Sequence, residues 1–209
     1  MLKIGVLALQ GDFEAHARAL ARAGADPVMV RAGKNLDGLD ALVLPGGEST
    51  TIAKGMERLG LFEAVRTFAE AGHPILGTCA GAILLARRVE NHPVSSLGLL
   101  DMTAVRNAYG TQVDSFVAPA DPGAKAGLEG LPCVFIRAPR LRDLGREVDV
   151  LVRVGGEPVL VRRGERFAAT FHPELGEDPR VLRLWIETVR RSASAARSRE
   201  RANPLSEPA

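Results

Sequence analysis

Ile75-Leu76-Gly77-Thr78-Cys79-Ala80-Gly81-Ala82-Ile83-Leu84-Leu85-Ala86 is the stretch that decides how this chain folds. An apolar run ends in Gly-x-Cys-x-Gly and passes into residues that favour a helix. Strand, sharp turn with a nucleophile at its tip, then helix is the pattern of a nucleophile elbow. The flanking glycines let neighbouring backbone pack closely, and the tip residue can hold a strained conformation. A helix start beside the sulfur offers backbone N–H groups and a partial positive charge, which favour thiolate over thiol. The other cysteine, Cys133, lies in Pro132-Cys133-Val134-Phe135-Ile136, a plain strand with no elbow, and reads as core filler.

On either side of the elbow, strand-like and helix-like segments alternate, which is the mark of an α/β fold. Residues 2–9 are nearly continuously apolar, as a strand buried on both faces requires. The Ala-rich run 13–23 reads as a helix stopped by Gly24. Strands follow at 27–31 and 39–44, then helices at 50–58 and 61–71 separated by Gly60, then the elbow strand at 74–78. In the second half, 103–106, 112–117, 132–137, 148–154, 157–163 and 166–171 read as shorter strands, and Gly155-Gly156 is a hairpin signal. A last helix is expected over 179–192. The expected fold is α/β: an open, mostly parallel central sheet flanked by helices, with a small antiparallel extension. One domain covers residues 1–192, and 193–209, rich in Ser, Ala, Arg, Glu and Pro, read as a disordered tail.

Composition narrows the function. A chain of 209 residues, 46% hydrophobic and 25% charged, suits one globular domain with a substantial core. The net charge of +2 belongs to the C-terminal end: from Arg190 on there are five arginines and two glutamates, and the rest carries 22 basic against 23 acidic residues. With no basic stripe in the body, one Trp and one Tyr, nucleic-acid binding has little support. Two cysteines in unlike settings make no disulfide framework, which points to a reducing cytoplasm. Met1 leads straight into a strand rather than a secretory signal, and no apolar run approaches the length of a membrane span.

Two further segments bear on chemistry. Leu44-Pro45-Gly46-Gly47-Glu48-Ser49-Thr50 joins the third strand to a helix, with Ser49 or Thr50 as the expected N-cap. It lacks the Lys of a phosphate-binding P-loop. In an open parallel sheet, functional loops gather at the carboxyl ends of strands, so this turn and the elbow face each other. Gly47 N–H and Ala80 N–H could then form an oxyanion hole. Phe171-His172-Pro173-Glu174 supplies an imidazole with a carboxylate two residues on, which completes a Cys-His-Glu set. His16 shares a helical face with Phe13 and Leu20 and reads as core or interface packing; His73 and His92 read as solvated loop residues. No metal-ligand cluster is visible.

These three segments resemble the class I, triad-type glutamine amidotransferases. Leu9-Gln10-Gly11-Asp12-Phe13, Arg106-Asn107-Ala108-Tyr109-Gly110, Gln112-Val113-Asp114-Ser115-Phe116 and Phe135-Ile136-Arg137-Ala138-Pro139 narrow the resemblance to the glutaminase subunits of pyridoxal 5′-phosphate synthases, from about residue 2 to 190. The resemblance implies a flavodoxin-like sheet and a glutaminase that converts L-glutamine to L-glutamate and ammonia. It implies Cys79 as nucleophile, His172 as base and Glu174 as its orienting carboxylate, with Gly47 and Ala80 as oxyanion donors. Gly47, Glu48, Ser49, Arg106, Ile136 and Arg137 are implied to bind glutamine; without the family, each arginine reads as a surface salt bridge.

The implied partner is a (β/α)8 synthase subunit in a large hetero-oligomer. It makes pyridoxal 5′-phosphate from ribose 5-phosphate, glyceraldehyde 3-phosphate and the ammonia. Gln10 and the first helix are the expected contacts with it. No metal or cofactor is implied, since pyridoxal 5′-phosphate is the product of the complex. Two positions depart from the family pattern: Tyr109, where Phe is expected, and Thr111, where a basic residue is expected. Two other readings stay open at this point. A glutaminase for another synthase would keep the triad and change the partner surface. A non-enzymatic thiol sensor on a similar fold would need neither His172 nor Glu174.

Overall fold

The computed structural model describes residues 1–107 and 115–202, with side chains to Ser198. Tyr109, Thr111 and the first residues of the strand expected at 112–117 lie outside the described residues.

The first half alternates as expected: β1 (Lys3–Leu7), α1 (Phe13–Arg22), β2 (Asp26–Val30), β3 (Ala41–Leu44), α2 (Ser49–Arg58), α3 (Leu61–Glu70), β4 (Ile75–Thr78) and α4 (Ala80–Leu85). The second half is mostly strand: β5 (Ala86–Glu90), β6 (Leu100–Val105), β7 (Ser115–Pro119), β8 (Pro132–Ile136), β9 (Arg140–Arg142), β10 (Asp149–Val154), β11 (Glu157–Arg163) and β12 (Arg166–Ala169), closed by α5 (Arg180–Ala202).

Seven strands form the central sheet in the order β10-β11-β12-β4-β3-β1-β2. The five from β12 to β2 are mutually parallel, and β10 and β11 extend them antiparallel. The β10–β11 hairpin turns at Gly155-Gly156, both with positive φ, as the sequence predicts. A three-stranded sheet, β5-β6-β9, and a two-stranded one, β7-β8, complete the extension.

The apolar runs of the central strands follow from burial on both faces. Along β3, Ala41 and Val43 pack on one side while Leu42 and Leu44 pack on the other. The first side is covered by α1 and α5 through Ala19, Leu20, Trp185, Ile186 and Val189. The second is covered by α2, α3 and α4 through Ile52, Met56, Val65, Phe68 and Leu84. This three-layer packing leaves only the strand ends open, and the functional loops leave from there.

Two expectations need correction. The final helix does not stop at 192: residues 193–202, read as disordered tail, continue α5. Ala, Arg and Glu are good helix formers, and the extension is anchored by buried Ala193 and by Arg197, whose guanidinium lies 3.8 Å from Asp40. Ala86, read as part of the elbow helix, is instead the first residue of strand β5, which pairs parallel with β6. Among the described residues, no helix is long and apolar enough to cross a membrane.

Candidate active site

Four neighbouring strands, β12, β4, β3 and β1, deliver the site from their carboxyl ends. β4 ends in Cys79, β3 in Gly46-Gly47-Glu48, β1 in Gln10-Gly11-Asp12 and β12 in His172-Pro173-Glu174. Adjacent strands lie about 5 Å apart, so residues distant in sequence become side-chain neighbours.

Cys79 has φ 49° and ψ −104°, a left-handed backbone that a side chain rarely adopts. Its N–H donates to Ala169 O at 2.8 Å, which extends the β4–β12 ladder onto the elbow and holds the strained residue in place. Behind it, Gly81 packs so closely on β3 that a Cβ would collide with Leu44 O. The glycines of the elbow are therefore demanded by packing. Cys79 is 6% exposed, and its Sγ lies 3.6 Å from Ile136 O at the end of β8.

His172 is buried and held by its N–H, which donates to Val134 O at 2.8 Å. Its Nδ1 donates to Glu174 Oε1 at 2.7 Å, while Nε2 is buried with no hydrogen-bond partner. A Cβ on Gly46 would clash with His172 Cε1 and stand 3.4 Å from Cys79 Cβ, so the imidazole and the cysteine crowd onto the same bare glycine. Burial disfavours a charge on His172, but Cys79 and Glu174 outweigh it and lift the imidazole to about 10. Burial likewise pushes Glu174 up, but the charges and hydrogen bonds of His16 and His172 win and hold it at about 2. The arrangement is a buried carboxylate, an imidazole fixed by it, and a thiol at a strained turn. Such a set can move a proton between sulfur and a bound group.

His16 is fully buried, as the packing reading predicts; beyond that reading, its Nε2 lies 3.3 Å from Glu174 Oε2 and 2.9 Å from Thr78 Oγ1. The available signal was a histidine on the buried face of an Ala-rich helix, where an aliphatic residue would pack at less cost.

Of the glutamine-binding candidates, Glu48 and Arg106 come into direct contact, and Ile136 O lies 3.6 Å from Cys79 Sγ. Glu48, not Ser49 or Thr50, is the N-cap of α2. Its carboxylate accepts from Thr50 N at 3.1 Å and from Thr51 N at 2.7 Å. Burial pushes Glu48 up, but these backbone donors bring it below the usual carboxylate range. Arg106 Nη2 donates to Glu48 Oε1 at 3.1 Å and its Nη1 to His92 O at 2.7 Å, so the two candidates form one ion pair. Ser49 is buried under the turn; Gly47 and Arg137 are exposed, Arg137 with φ 44°. Gly47 has φ 152°, and a Cβ there would stand 2.5 Å from Gln10 Oε1, the same oxygen that accepts from Glu48 N at 2.7 Å. Gln10 thus braces the turn that carries the candidate oxyanion donor.

Among the described residues, one group, Asp12, His172 and Glu174, brings metal-ligand atoms within 4.8 Å of one another. His172 Nδ1 and Glu174 Oε1 are already spent on each other.

Comparison with known proteins gives the family and the fold. The SNO glutamine amidotransferase family matches residues 6–191. A relative from Koribacter versatilis, named pyridoxal 5′-phosphate synthase subunit PdxT, is 48% identical over 92% of this chain and 98% of its own. The protein of the same name from Thermus thermophilus is 51% identical over 88% of this chain and 96% of its own. A crystal structure of a glutamine amidotransferase superposes with TM-score 0.84 at 48% identity, covering 89% of this chain and 98% of the other. PurLQS from Thermotoga maritima shares the fold at TM-score 0.62 and 19% identity, over 91% of this chain and 96% of that one.

Proposed function

Because the chain belongs to the SNO glutamine amidotransferase family, we propose that it is the glutaminase subunit of a pyridoxal 5′-phosphate synthase. It hydrolyses L-glutamine to L-glutamate and ammonia, acting in the cytoplasm with a (β/α)8 synthase subunit. The observation that carries the reading is the buried array in which Glu174 fixes His172 through Nδ1, leaving Nε2 free beside the strained Cys79.

In this reading His172, whose imidazole is lifted to about 10, holds the proton taken from Cys79, and the thiolate sulfur bonds to the side-chain amide carbon of glutamine. Gly47 N–H and Ala80 N–H hold the oxyanion, each worth roughly 10²–10³ in rate. The C–N bond breaks as His172 returns the proton to nitrogen, and ammonia leaves. Water, deprotonated by His172, cleaves the γ-glutamyl thioester and frees the thiol. Glu174 stabilises the imidazolium in both steps.

Arg106 and Arg137 suit the substrate α-carboxylate, since guanidinium pairs with it through two hydrogen bonds. Glu48 and Ile136 flank them, and Ser49 contributes from beneath the turn. Ammonia loses its nucleophilicity once protonated, so a glutaminase of this size needs a partner that consumes it directly. Names of the two relatives support the partner: a subunit of the synthase that forms pyridoxal 5′-phosphate. Ribose 5-phosphate and glyceraldehyde 3-phosphate are the other inputs in this reading, and the two chains form a large mixed assembly. Docking through the α1 side completes an oxyanion hole that Gln10 holds at rest, which spares glutamine when no acceptor is present.

The test is glutamate release from glutamine by the purified chain, alone and with the synthase subunit. Weak activity alone and stronger activity in the mixture support the assignment. Activity indifferent to this synthase would move the chain to another pathway.

A further inference from the structure

Glu174 has two carboxylate oxygens, and the reaction above uses one. Oε1 takes the His172 Nδ1–H at 2.7 Å; Oε2 faces His16 Nε2 at 3.3 Å. The same His16 nitrogen lies 2.9 Å from Oγ1 of Thr78, the residue before Cys79. All four groups are buried.

The tautomer follows from these distances. If Nε2 carried a lone pair, that lone pair would face a carboxylate oxygen, lone pair against anion. With the proton on Nε2, the N–H pairs with Thr78 Oγ1, and its positive end stands 3.3 Å from Glu174 Oε2, a buried oxygen that takes no hydrogen bond and is held by this electrostatic contact. His16 Nδ1 is then left buried and unpartnered. A side chain kept for packing alone would not leave a nitrogen so placed.

We infer that His16 is a positioning residue of the active site: it holds the second oxygen of Glu174 from α1 and ties it, through Thr78, to the strand that carries Cys79. The inference rests on the Cys-His-Glu reading above. His16 acts on Glu174, which acts on His172, which acts on the sulfur. The groups facing Glu174 are His172 on its own segment, His16 from α1 and Asp12 at the start of α1; Thr78 of β4 reaches it only through His16, and Cys79 only through His172. Asp12 brings a carboxylate oxygen within 4.8 Å of the His172–Glu174 pair, a further negative charge that the His16 N–H helps to offset. Without that N–H, Glu174 becomes easier to protonate, and a neutral Glu174 no longer supports the imidazolium.

The experiment compares His16→Leu with His16→Gln, whose amide can still donate, in the complex with the synthase subunit. His16→Leu is expected to lower kcat about 10–100-fold, the usual scale for removing a supporting hydrogen bond behind a reacting group. KM for glutamine should stay within twofold, and the acid limb of the kcat/KM profile should move to higher pH. His16→Gln should recover most of both. In a Glu174→Gln background, His16→Leu should add nothing further.

A second readout needs no glutamine. The pH midpoint for iodoacetamide alkylation of Cys79 should rise in His16→Leu and return in His16→Gln. Equal loss in both variants with unmoved pH profiles would make His16 structural and overturn the inference. If wild type fails to hydrolyse glutamine but the alkylation midpoint moves as stated, the glutaminase reading falls and the positioning role stands. If His16→Leu does not fold, His16→Gln against wild type decides: near-wild-type profiles support the role, and a large kcat loss contradicts it.

Discussion

The two cysteines have much in common. Both are free thiols, 6% and 0% exposed, and each sulfur rests near a backbone carbonyl on or beside β8: Ile136 O for Cys79, Leu131 O for Cys133. Cys133 sits in a regular strand, where burial, with a smaller effect from Asp178, pushes its thiol up to about 12. At neutral pH only about one Cys133 in 10⁵ is then thiolate. Cys79 sits at a left-handed turn against an imidazole that is itself held by a buried carboxylate. Burial therefore does not tell the two sulfurs apart. Backbone strain and a neighbouring imidazole do, and strands far apart in sequence supply both.

The largest expected effect comes from exchanging the two sulfurs for hydrogen. Cys79→Ala should lower glutamine hydrolysis by about 10⁴ or more, as loss of a nucleophile does in other triads. Cys133→Ala should leave kcat and KM within twofold while costing about 1–2 kcal/mol of stability in denaturant titrations. A Cys133→Ala enzyme as dead as Cys79→Ala would break the comparison.

Next come the partners of Cys79. Glu174→Gln keeps the shape but offers an amide where His172 Nδ1–H needs an anion. Steady-state assays should show kcat lower by about 10²–10⁴. Below that lies Gly46→Ala: its methyl would strike the His172 ring while only touching Cys79 Cβ. A displacement of the ring by about 1 Å should cost roughly 10² in kcat, with a melting temperature close to wild type.

The smallest effect is on stability against pH. His172 is raised above its ordinary value of 6.5 to about 10, so its contribution is full below pH 6.5 and fades as pH climbs to 10. Glu174 is depressed from 4.5 to about 2, so its contribution is full above pH 4.5 and fades as pH falls toward 2. The melting-temperature gap between wild type and His172→Asn should be widest between pH 4.5 and 6.5 and narrow on both sides. Cys133→Ala should show no such window.

Much of this was legible in the sequence for a physical reason. Strands buried on both faces read as apolar blocks, and glycines punctuate them, so β1 to β4 and α1 to α3 fall within two residues of their expected bounds. The elbow and the His-Pro-Glu segment carry their chemistry in local spacing. What stayed hidden depends on partners distant in the chain. Strand β5 is half charged, Ala-Arg-Arg-Val-Glu, and exists because β6 pairs with it. Past residue 192, α5 continues with Ala193 buried and Arg197 3.8 Å from Asp40, contacts that local composition does not announce. The contacts of Glu48 with Thr50, Thr51 and Arg106, and of the buried His16 with Thr78 and Glu174, come from the fold and not from local spacing.

The central claim is that Cys79, and not Cys133, takes up glutamine. It is tested most directly by treating the chain, with the synthase subunit present, with a diazoketone analogue of glutamine and locating the adduct by peptide mass spectrometry. The account predicts one adduct, on the peptide containing Cys79, protected by glutamine and absent in Cys79→Ala. An adduct on Cys133, or none on Cys79, would contradict it.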